Sequence, residues 1–239
     1  MDYGVKATEY TKRVYYKVKY YQIRMLKYQK FDTSEEEAYP FFQNFEEEGM
    51  KDMFMNYYID KARSKGITIP QALTKVYYNS EGVEKQCYYM NESSSVSGDV
   101  LIDQVRKMLD ESSSINNIII ISPGKLGSDT KSTLIDFPAL VFTCFQYSEL
   151  LNDPFDNDLV PRHTLLSFKQ TKNFYRANPN IEESNLPCIY ENDPVAKRLN
   201  GKPGQIMFIE RYICVKGSFV SYSSTIRRVI EGEIPKKTR

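Results

Sequence analysis

The chain has 239 residues, of which 41% are hydrophobic and 26% charged, so it can bury a sizeable core without disulfide or metal support. No stretch approaches the ~18 consecutive apolar residues of a membrane helix. The N-terminus carries no apolar signal segment, so we expect an intracellular protein without a membrane partner. The four cysteines form no C-x-x-C pair, which favours reduced thiols over a zinc site or a dense disulfide framework.

The net charge of +1 hides a strong segregation of charge along the chain. Residues 1–30 carry eight Lys or Arg and two Asp or Glu, residues 31–159 carry ten and 22, and residues 160–239 carry fourteen and seven. Basic ends around an acidic middle suit a protein that contacts nucleic acid or an acidic partner at some faces and avoids them at others. Solvated helix faces that differ in charge explain the pattern equally well.

The first predicted helix covers Thr11–Tyr28, where apolar residues recur at spacings of three and four. Two tyrosine pairs, Tyr15-Tyr16 and Tyr20-Tyr21, stand among its lysines and arginines. Aromatic rings amid cations can stack on bases or lie along a phosphate backbone. Core packing explains the same tyrosines equally well.

Two more helices are predicted before the middle of the chain. The first begins near Thr33, because Thr33 with Glu36, or the pair one residue later, has the spacing of a capping box. Gly49 is its predicted end. The second covers Met50–Ser64.

The middle of the chain predicts a partly parallel sheet. Val76–Tyr78 and Cys87–Met90 are predicted strands, and a helix follows over Asp99–Glu111. Ile118–Ile121 is an apolar, β-branched run typical of a strand that is buried on both faces. A short helix around residues 129–135 and a strand over Ala139–Phe145 complete an alternation of strands and helices, which is typical of an α/β sheet.

The last third predicts a smaller unit beyond a polar linker. Ser167 is the predicted cap of a helix that ends before Pro179. Three predicted strands form a small mixed sheet; they cover Gln205–Tyr212, Phe219–Tyr222 and Ile226–Ile230.

A short helix and a turn precede those strands. Asp193-Pro194 is a helix start, with Asp as the N-cap and Pro at the first helical position. Gly201 is the predicted left-handed end of this helix. Lys202-Pro203-Gly204 has the Pro-Gly order of a type II turn.

No motif of an enzyme active site is present. The Walker pattern G-x-x-x-x-G-K-[ST] is absent, and the acids at 153, 156 and 158 lack the Gly and Glu that a calcium loop requires. His163 is the only histidine, and no G-x-S-x-G elbow exists, so we expect a hydrogen-bonded structural histidine. We predict no catalytic residue, no metal site and no cofactor on this chain.

The last third nevertheless resembles a known family. The motifs, in chain order, are Leu159-Val160-Pro161-Arg162-His163, Leu186-Pro187-Cys188-Ile189, Asp193-Pro194-Val195-Ala196 and Gly201-Lys202-Pro203-Gly204-Gln205. Together they resemble the fifth common subunit of eukaryotic nuclear RNA polymerases, which is similar to a smaller subunit of the archaeal polymerase. The resemblance covers residues 96–215, and residues 1–66 match only in helical character. The archaeal counterpart resembles the C-terminal part alone.

The resemblance implies a chain of α+β / α/β class with two domains. An N-terminal jaw domain of helices and an α/β sheet covers residues 1–151, a linker covers 152–158, and a small mixed α+β assembly domain covers 159–239. The family implies a non-catalytic subunit that docks on the largest RNA polymerase subunit and touches other polymerase subunits. Its jaw would hold downstream double-stranded DNA during transcription.

Two sets of site residues follow from this resemblance. For docking they are Asp193, Pro194, Val195, Ala196, Lys202, Pro203, Gly204 and Arg211. For contact with DNA phosphates they are Lys12, Arg13, Lys17, Lys19 and Arg24. Phosphate contacts position a protein without reading sequence. Local folding explains the capped helix and the Pro-Gly turn as well as docking does.

The chain departs from the family at its last strands. The family usually follows the strand equivalent to Ile206–Arg211 with a Ser-x-Thr-Ala-Gly-like turn and a Tyr-Arg pair. Here Tyr212–Gly217 replaces the turn, and Tyr222 is followed by Ser223. These departures indicate a divergent lineage, and a large DNA virus that encodes its own polymerase would fit. We expect the nucleus for a cellular protein, and the cytoplasmic virus factory and virion for a viral one.

Two other classes of function stay open. One is a free-standing DNA-binding transcription regulator with the same fold. The other is a metal-dependent nuclease, since Asp129-Thr130-Lys131 has the D-x-K order that places a carboxylate and a lysine near Mg²⁺. This tripeptide lies in a Gly/Ser-rich loop or helix start rather than on a strand edge that would hold it rigidly.

Overall fold

The chain forms two compact units, Met1–Asn152 and Asp153–Arg239, in a computed structural model that describes residues 8–91, 98–111, 115–127, 130, 132–215 and 218–232. Each unit contains helices and one four-stranded sheet, which confirms the predicted α+β class.

Six helices are described in the N-terminal unit: α1 (Glu9–Tyr28), α2 (Ser34–Glu37), α3 (Pro40–Gln43), α4 (Met50–Lys65), α5 (Ile69–Leu73) and α6 (Gly98–Glu111). The single helix predicted between Thr33 and Gly49 is wrong. Pro40 begins a separate helix, because its missing N–H cannot continue the hydrogen bonding of α2. Gly49, with φ at 83°, precedes α4 instead of ending a helix, and Thr33 makes no side-chain cap bond.

The sheet of the N-terminal unit has the order β1-β2-β3-β4. Its strands are β1 (Lys75–Tyr78), β2 (Glu84–Tyr89), β3 (Asn117–Ser122) and β4 (Val141–Gln146). Strand β1 pairs with β2 in antiparallel orientation, while β2, β3 and β4 are parallel, which confirms the partly parallel sheet. Near the predicted short helix, the structure has a 3₁₀ turn at Thr133–Asp136, and Asp129 and Lys131 lie outside the described residues.

Strand β3 is buried on both faces, which explains its uninterrupted apolar sequence. Ile119 and Ile121 pack into one core with α1, α3, α4 and α5. Ile118 and Ile120 belong to a second core that includes Leu101 and other residues of α6. Because successive side chains of a strand point to opposite faces, four consecutive isoleucines serve two cores at once.

A buried ion pair joins α1 to α2, α5 and β1. The Lys19 ammonium, on a side chain with no exposed surface, lies 2.9 Å from Oε1 of Glu36. It also donates to the Tyr77 hydroxyl at 2.8 Å and to the Leu73 carbonyl at 3.2 Å, and the Tyr77 hydroxyl donates to Glu36. Burial acts to raise the pKa of Glu36, but the Lys19 charge and the Tyr77 hydroxyl outweigh it and lower that pKa below its ordinary value of 4.5.

Where the structure describes it, the C-terminal unit has a mixed sheet of order β5-β7-β8-β6 and two helices. Its elements are β5 (Arg162–Leu165), α7 (Phe168–Ala177), β6 (Cys188–Tyr190), α8 (Pro194–Arg198), β7 (Ile206–Val215) and β8 (Ser218–Ile230). Ser167 caps α7 by accepting a bond from the Gln170 N–H, as the sequence predicts. The two strands predicted near the end of the chain are one continuous strand, β8.

The polar segment 152–158 is partly folded. A 3₁₀ turn forms at Pro154–Asp156, where the Asp153 side chain accepts a bond from the Phe155 N–H at 3.1 Å. The Phe155 ring lies 6.4 Å from the His163 ring, centre to centre. His163 Nδ1 lies 2.6 Å from the Pro161 carbonyl, so the only histidine is hydrogen-bonded within its own strand region.

Replacing Lys19 with Met should lower the free energy of unfolding by about 3–5 kcal/mol, because Glu36 would stay buried without its cation. Urea unfolding followed by far-ultraviolet circular dichroism measures the change. Lys27→Met is the matched control, since Lys27 also lies on α1 and its pair with Glu37 of α2 is largely exposed and contributes about 1 kcal/mol at most. Equal losses in the two variants would contradict a dominant role for the buried pair.

The acid sensitivity of a variant of Glu36 checks the pair independently. Because the pKa of Glu36 is lower in the folded chain than in the unfolded one, its stabilisation is complete above pH 4.5 and is lost as pH falls through the folded-state pKa. Glu36→Gln should therefore show a smaller loss of stability than the wild type over that acid range.

Candidate functional site

The helix–turn corner of the C-terminal unit, residues 193–205, carries most of the predicted docking residues. The Asp193 carboxylate accepts bonds from the Val195 and Ala196 N–H groups at 2.9 and 3.4 Å, so it caps α8 as predicted. Pro194 occupies the first turn, where its missing N–H leaves no donor unpaired. Hydrogen bonds between residues two and three positions apart therefore stabilise this corner, and the Asp-Pro motif predicts them.

The end of α8 differs from the prediction. Asn200, with φ at 58°, takes the left-handed conformation that the sequence predicts for Gly201. Gly201 instead donates its N–H to the Ala196 carbonyl at 2.8 Å. A Cβ at Gly201 would lie 3.3 Å from that carbonyl oxygen and 3.4 Å from Val229, so close packing accounts for this glycine.

The turn after α8 has the predicted type II character. Gly204 has φ at 89°, and the Gln205 N–H donates to the Lys202 carbonyl at 3.1 Å. The Gln205 amide secures the turn from inside, because its Oε1 accepts from the Lys202 N–H and its Nε2 donates to the Leu166 carbonyl, both at 2.8 Å. Partial burial lowers the pKa of the Lys202 ammonium despite the opposing charge of Glu191.

Only part of the predicted docking set reaches the surface. Pro194, Pro203 and Gly204 are exposed, and Asp193 and Lys202 are half-buried. Val195 and Ala196 are 7% and 0% exposed and belong to the core of the unit, so their assignment as docking residues is wrong. A five-residue helix gives too short a pattern to show which face is buried.

Arg211 is exposed but lies apart from the corner. Seven residue steps, five of them along β7, separate it from Gly204, a distance of roughly 20 Å in extended chain. The predicted docking residues therefore form two surfaces rather than one.

Beyond the four-stranded part of its sheet, the C-terminal unit extends a two-stranded hairpin arm, residues 211–215 and 218–227. Strand β5 pairs with β7 only as far as Glu210, and β6 pairs with β8 only from Arg228 onward. The rings of Tyr212 and Tyr222 lie on this arm with centres 5.1 Å apart, and both hydroxyls donate to the Glu210 carboxylate. The sequence predicts strands here but not their continuation as an arm.

A basic stripe, defined by Arg13, Lys17 and Arg24, runs along one face of α1. Spacings of four and seven residues place these three side chains in line. Arg13 is exposed and the other two are partly exposed. The Arg24 guanidinium lies 5.9 Å from the Tyr20 ring centre and donates to the Tyr28 hydroxyl at 3.1 Å, which holds it against the helix.

The structure corrects other expectations for α1. Lys19 is wrong as a phosphate contact, because it lies about 200° around the helix from Lys17 and is consumed by the buried pair with Glu36. Lys12 is partly exposed, but its ammonium bonds to Asp52 on α4 at 2.8 Å.

The tyrosines of α1 are mainly packing residues. Tyr15, Tyr16 and Tyr21 are at most 8% exposed, and Tyr20 stacks on Phe45 with ring centres 3.7 Å apart. Core packing, rather than stacking on bases, therefore accounts for the tyrosine pairs.

Over the described ranges, no group of three or more His, Cys, Asp or Glu side chains is arranged to hold a metal ion. Cys87, Cys144 and Cys188 carry free thiols. None of the helices in the described part of the chain is both long and apolar enough to cross a membrane.

Comparison with known proteins shows which family the chain resembles. Residues 153–224 match the model of the C-terminal domain of RNA polymerase Rpb5. The chain is 36% identical over 75 residues to the DNA-directed RNA polymerase subunit Rpo5 of Thermofilum pendens, covering 92% of that protein and 31% of this chain. It is 35% identical over 85 residues to Rpo5 of Sulfurisphaera tokodaii, covering 95% of that protein and 36% of this chain. It is 39% identical over 80 residues to Rpo5 of Saccharolobus shibatae, covering 89% of that protein and 34% of this chain.

The capped corner, the mixed sheet and these matches define a class, the subunits of DNA-directed RNA polymerase. Within that class, the chain belongs to the family of RNA polymerase subunit Rpb5, whose relatives above are named Rpo5. This confirms the resemblance drawn from the motifs between Leu159 and Gln205. The family match begins at residue 153, so the N-terminal unit, which is about two thirds of the chain, lies outside it.

Proposed function

We propose that this chain is a non-catalytic subunit of a multisubunit DNA-dependent RNA polymerase and docks on the largest subunit. The observation that carries the proposal is the helix–turn corner in a chain of the Rpb5 family. Internal bonds of Asp193 and Gln205 already satisfy the backbone there, so exposed Pro194, Pro203 and Gly204 form a preorganised surface. Catalysis of nucleotide addition belongs to other chains, a view that the absence of active-site motifs from the sequence supports.

The N-terminal unit, on this proposal, forms part of the jaw beside downstream double-stranded DNA. The basic stripe of α1 supports this role, because its cations stand in line on a rigid helix and suit contact with phosphates. The subunit accompanies its polymerase in the cell. Its location is the nucleus for a cellular enzyme, or the cytoplasmic virus factory and virion for a viral one.

Pro194→Glu in the full chain should reduce the recovery of copurified largest subunit at least tenfold, since the new charge would be buried against the partner. The fold should persist, because Glu is favourable in the first turn of a helix. Affinity purification with mass spectrometry measures recovery, and thermal unfolding checks stability. Lys169→Glu, an exposed charge reversal on α7, is the matched control and should copurify normally. Equal recovery of both variants would remove the corner from the interface.

Replacing Arg13 and Lys17 together by Gln should weaken binding of the full chain to duplex DNA. The slope of log Kd against log salt concentration should shrink by about 2, because two phosphate contacts are lost. Fluorescence anisotropy with duplexes of unrelated sequence measures both quantities. The control replaces Arg63 and Lys65 by Gln, an exposed pair at the end of α4 in the same unit.

The two sets of results separate the remaining functions. Loss of slope in both double variants would mean non-specific attraction and would count against the basic stripe. Normal DNA binding without any copurified polymerase would instead favour a free-standing DNA-binding regulator. Metal-dependent DNA cleavage that disappears in Asp129→Ala would favour the nuclease.

A further inference from the structure

The hairpin arm leaves one edge of β8 without a neighbouring strand. Strand β6 covers β8 only over Arg228–Ile230, and in the described part of the C-terminal unit no strand continues that pairing toward Ser218. A two-stranded ribbon is marginally stable on its own in water. Strand β8 has thirteen residues, and its middle has a neighbouring strand on one side only. Such an open edge is unusual unless another chain segment pairs with it.

Hydrogen bonds at the base of the arm show which residues face the open edge. The Arg228 N–H donates to the Pro187 carbonyl and the Ile230 carbonyl accepts from the Glu191 N–H, so residues 228 and 230 point toward β6. Val229 points the other way, because its N–H and carbonyl bond to Gln205 and Gly204. Backbone groups alternate along a strand, so the N–H and carbonyl groups of Tyr222, Ser224 and Ile226 point outward at the open edge.

This edge lacks the devices that commonly keep an exposed strand single. Residues 221–226 read Ser-Tyr-Ser-Ser-Thr-Ile, with no proline and no charged side chain. Protected edges usually carry Lys, Pro or an inward charge. Short hydroxyl side chains at Ser223, Ser224 and Thr225 instead leave room for another backbone to approach.

The charge of the arm selects the chemistry of the occupant. Over the arm's residues 211–215 and 218–227, the charged side chains are Arg211 and Arg227, while the Glu210 carboxylate at its base bonds to the hydroxyls of Tyr212 and Tyr222. Arg211 and Arg227 are exposed. A second copy of this chain would bring like charges together at the edge, whereas an acidic segment would be attracted. Duplex DNA would meet the cations but would not use the alternating donors and acceptors of the edge, so a protein strand fits both features.

We propose that an extended, acidic segment of a neighbouring polymerase subunit adds to the Tyr222–Ile226 edge of β8 as a fifth strand of the sheet. This mode of recognition uses backbone bonds for affinity and side-chain contacts for selectivity. The inference rests on the proposed function, because it requires that the chain enters a polymerase. It assigns to the arm a docking surface separate from the helix–turn corner.

Hydrogen exchange on the unaltered protein gives the first test. In the isolated full chain, the amides of Tyr222, Ser224 and Ile226 should exchange faster than those of Ser223 and Thr225, which face β7. In the purified polymerase, the three outward amides should slow at least tenfold. Outward amides that exchange equally fast in both states would overturn the proposal.

A backbone variant gives the second test. Ser224→Pro removes one outward N–H and leaves every bond to β7 in place, which edge strands tolerate. It should lower the recovery of the chain with the polymerase about tenfold. Ser224→Ala keeps the N–H and should copurify normally. Slow exchange at Ser223 and Thr225 in Ser224→Pro verifies that the hairpin is intact, and normal copurification of that intact variant would contradict strand addition.

Two further outcomes locate a failure. If the wild-type chain never copurifies with large polymerase subunits, the proposed function fails, and strand addition by such a subunit fails with it. If Ser224→Pro copurifies normally while Arg211→Gln with Arg227→Gln lowers the affinity for duplex DNA, the arm is a DNA contact and the strand proposal is wrong. If the wild-type chain copurifies normally with the polymerase but its outward edge amides still exchange fast, strand addition is rejected while the proposed function stands.

Discussion

The buried contact between Lys19 and Glu36 decides which face of α1 meets solvent. This helix carries cations on several sides, so charge alone does not orient it. Glu36 is 3% exposed and needs a cation, and Lys19 supplies one from the side of the helix that faces α5 and β1. Any other rotation of α1 would leave a carboxylate buried without its partner, which costs several kcal/mol. Arg13, Lys17 and Arg24 are consequently held outward in line, so a core interaction sets the geometry of a surface that we propose to contact DNA.

The two units use their strands in different ways. In the N-terminal unit, β3 lies between two cores and each isoleucine has partners on its own face of the sheet. In the C-terminal unit, the core gathers around Met207, Ile209 and Val229 at the base of β7 and β8. On the arm beyond that base, Tyr212 and Tyr222 lie outside this core and are 55% and 45% exposed. This exposure supports the proposal that a strand of a neighbouring subunit completes the arm.

The sequence predicts those features of the chain whose determinants lie within a few residues. Ser167, Asp193 and the Lys202–Gly204 turn act through bonds to atoms two to four positions away, and the sequence predicts each of them. Lys19 and Glu36 are close only because α1 packs against α2, so no local sequence pattern predicts their ion pair. The exchange of roles between Asn200 and Gly201 has the same origin. Both residue types tolerate the left-handed conformation, and only the contact with Ala196 and Val229 reserves the second position for glycine.

Net charge by itself does not identify the partner of either basic surface. The N-terminal block and the hairpin arm both carry more cations than anions. The structure separates them through the backbone. On α1 the backbone N–H and carbonyl groups bond within the helix, so the basic stripe offers only cationic side chains to a partner, which suits phosphates of any sequence. Along Tyr222–Ile226 the backbone itself faces outward, in an alternation that another strand can match and a phosphate chain cannot. The basic stripe and the β8 edge thus favour different classes of partner. The peptide groups of α1 are bonded within the helix, whereas those of the β8 edge are available to another strand.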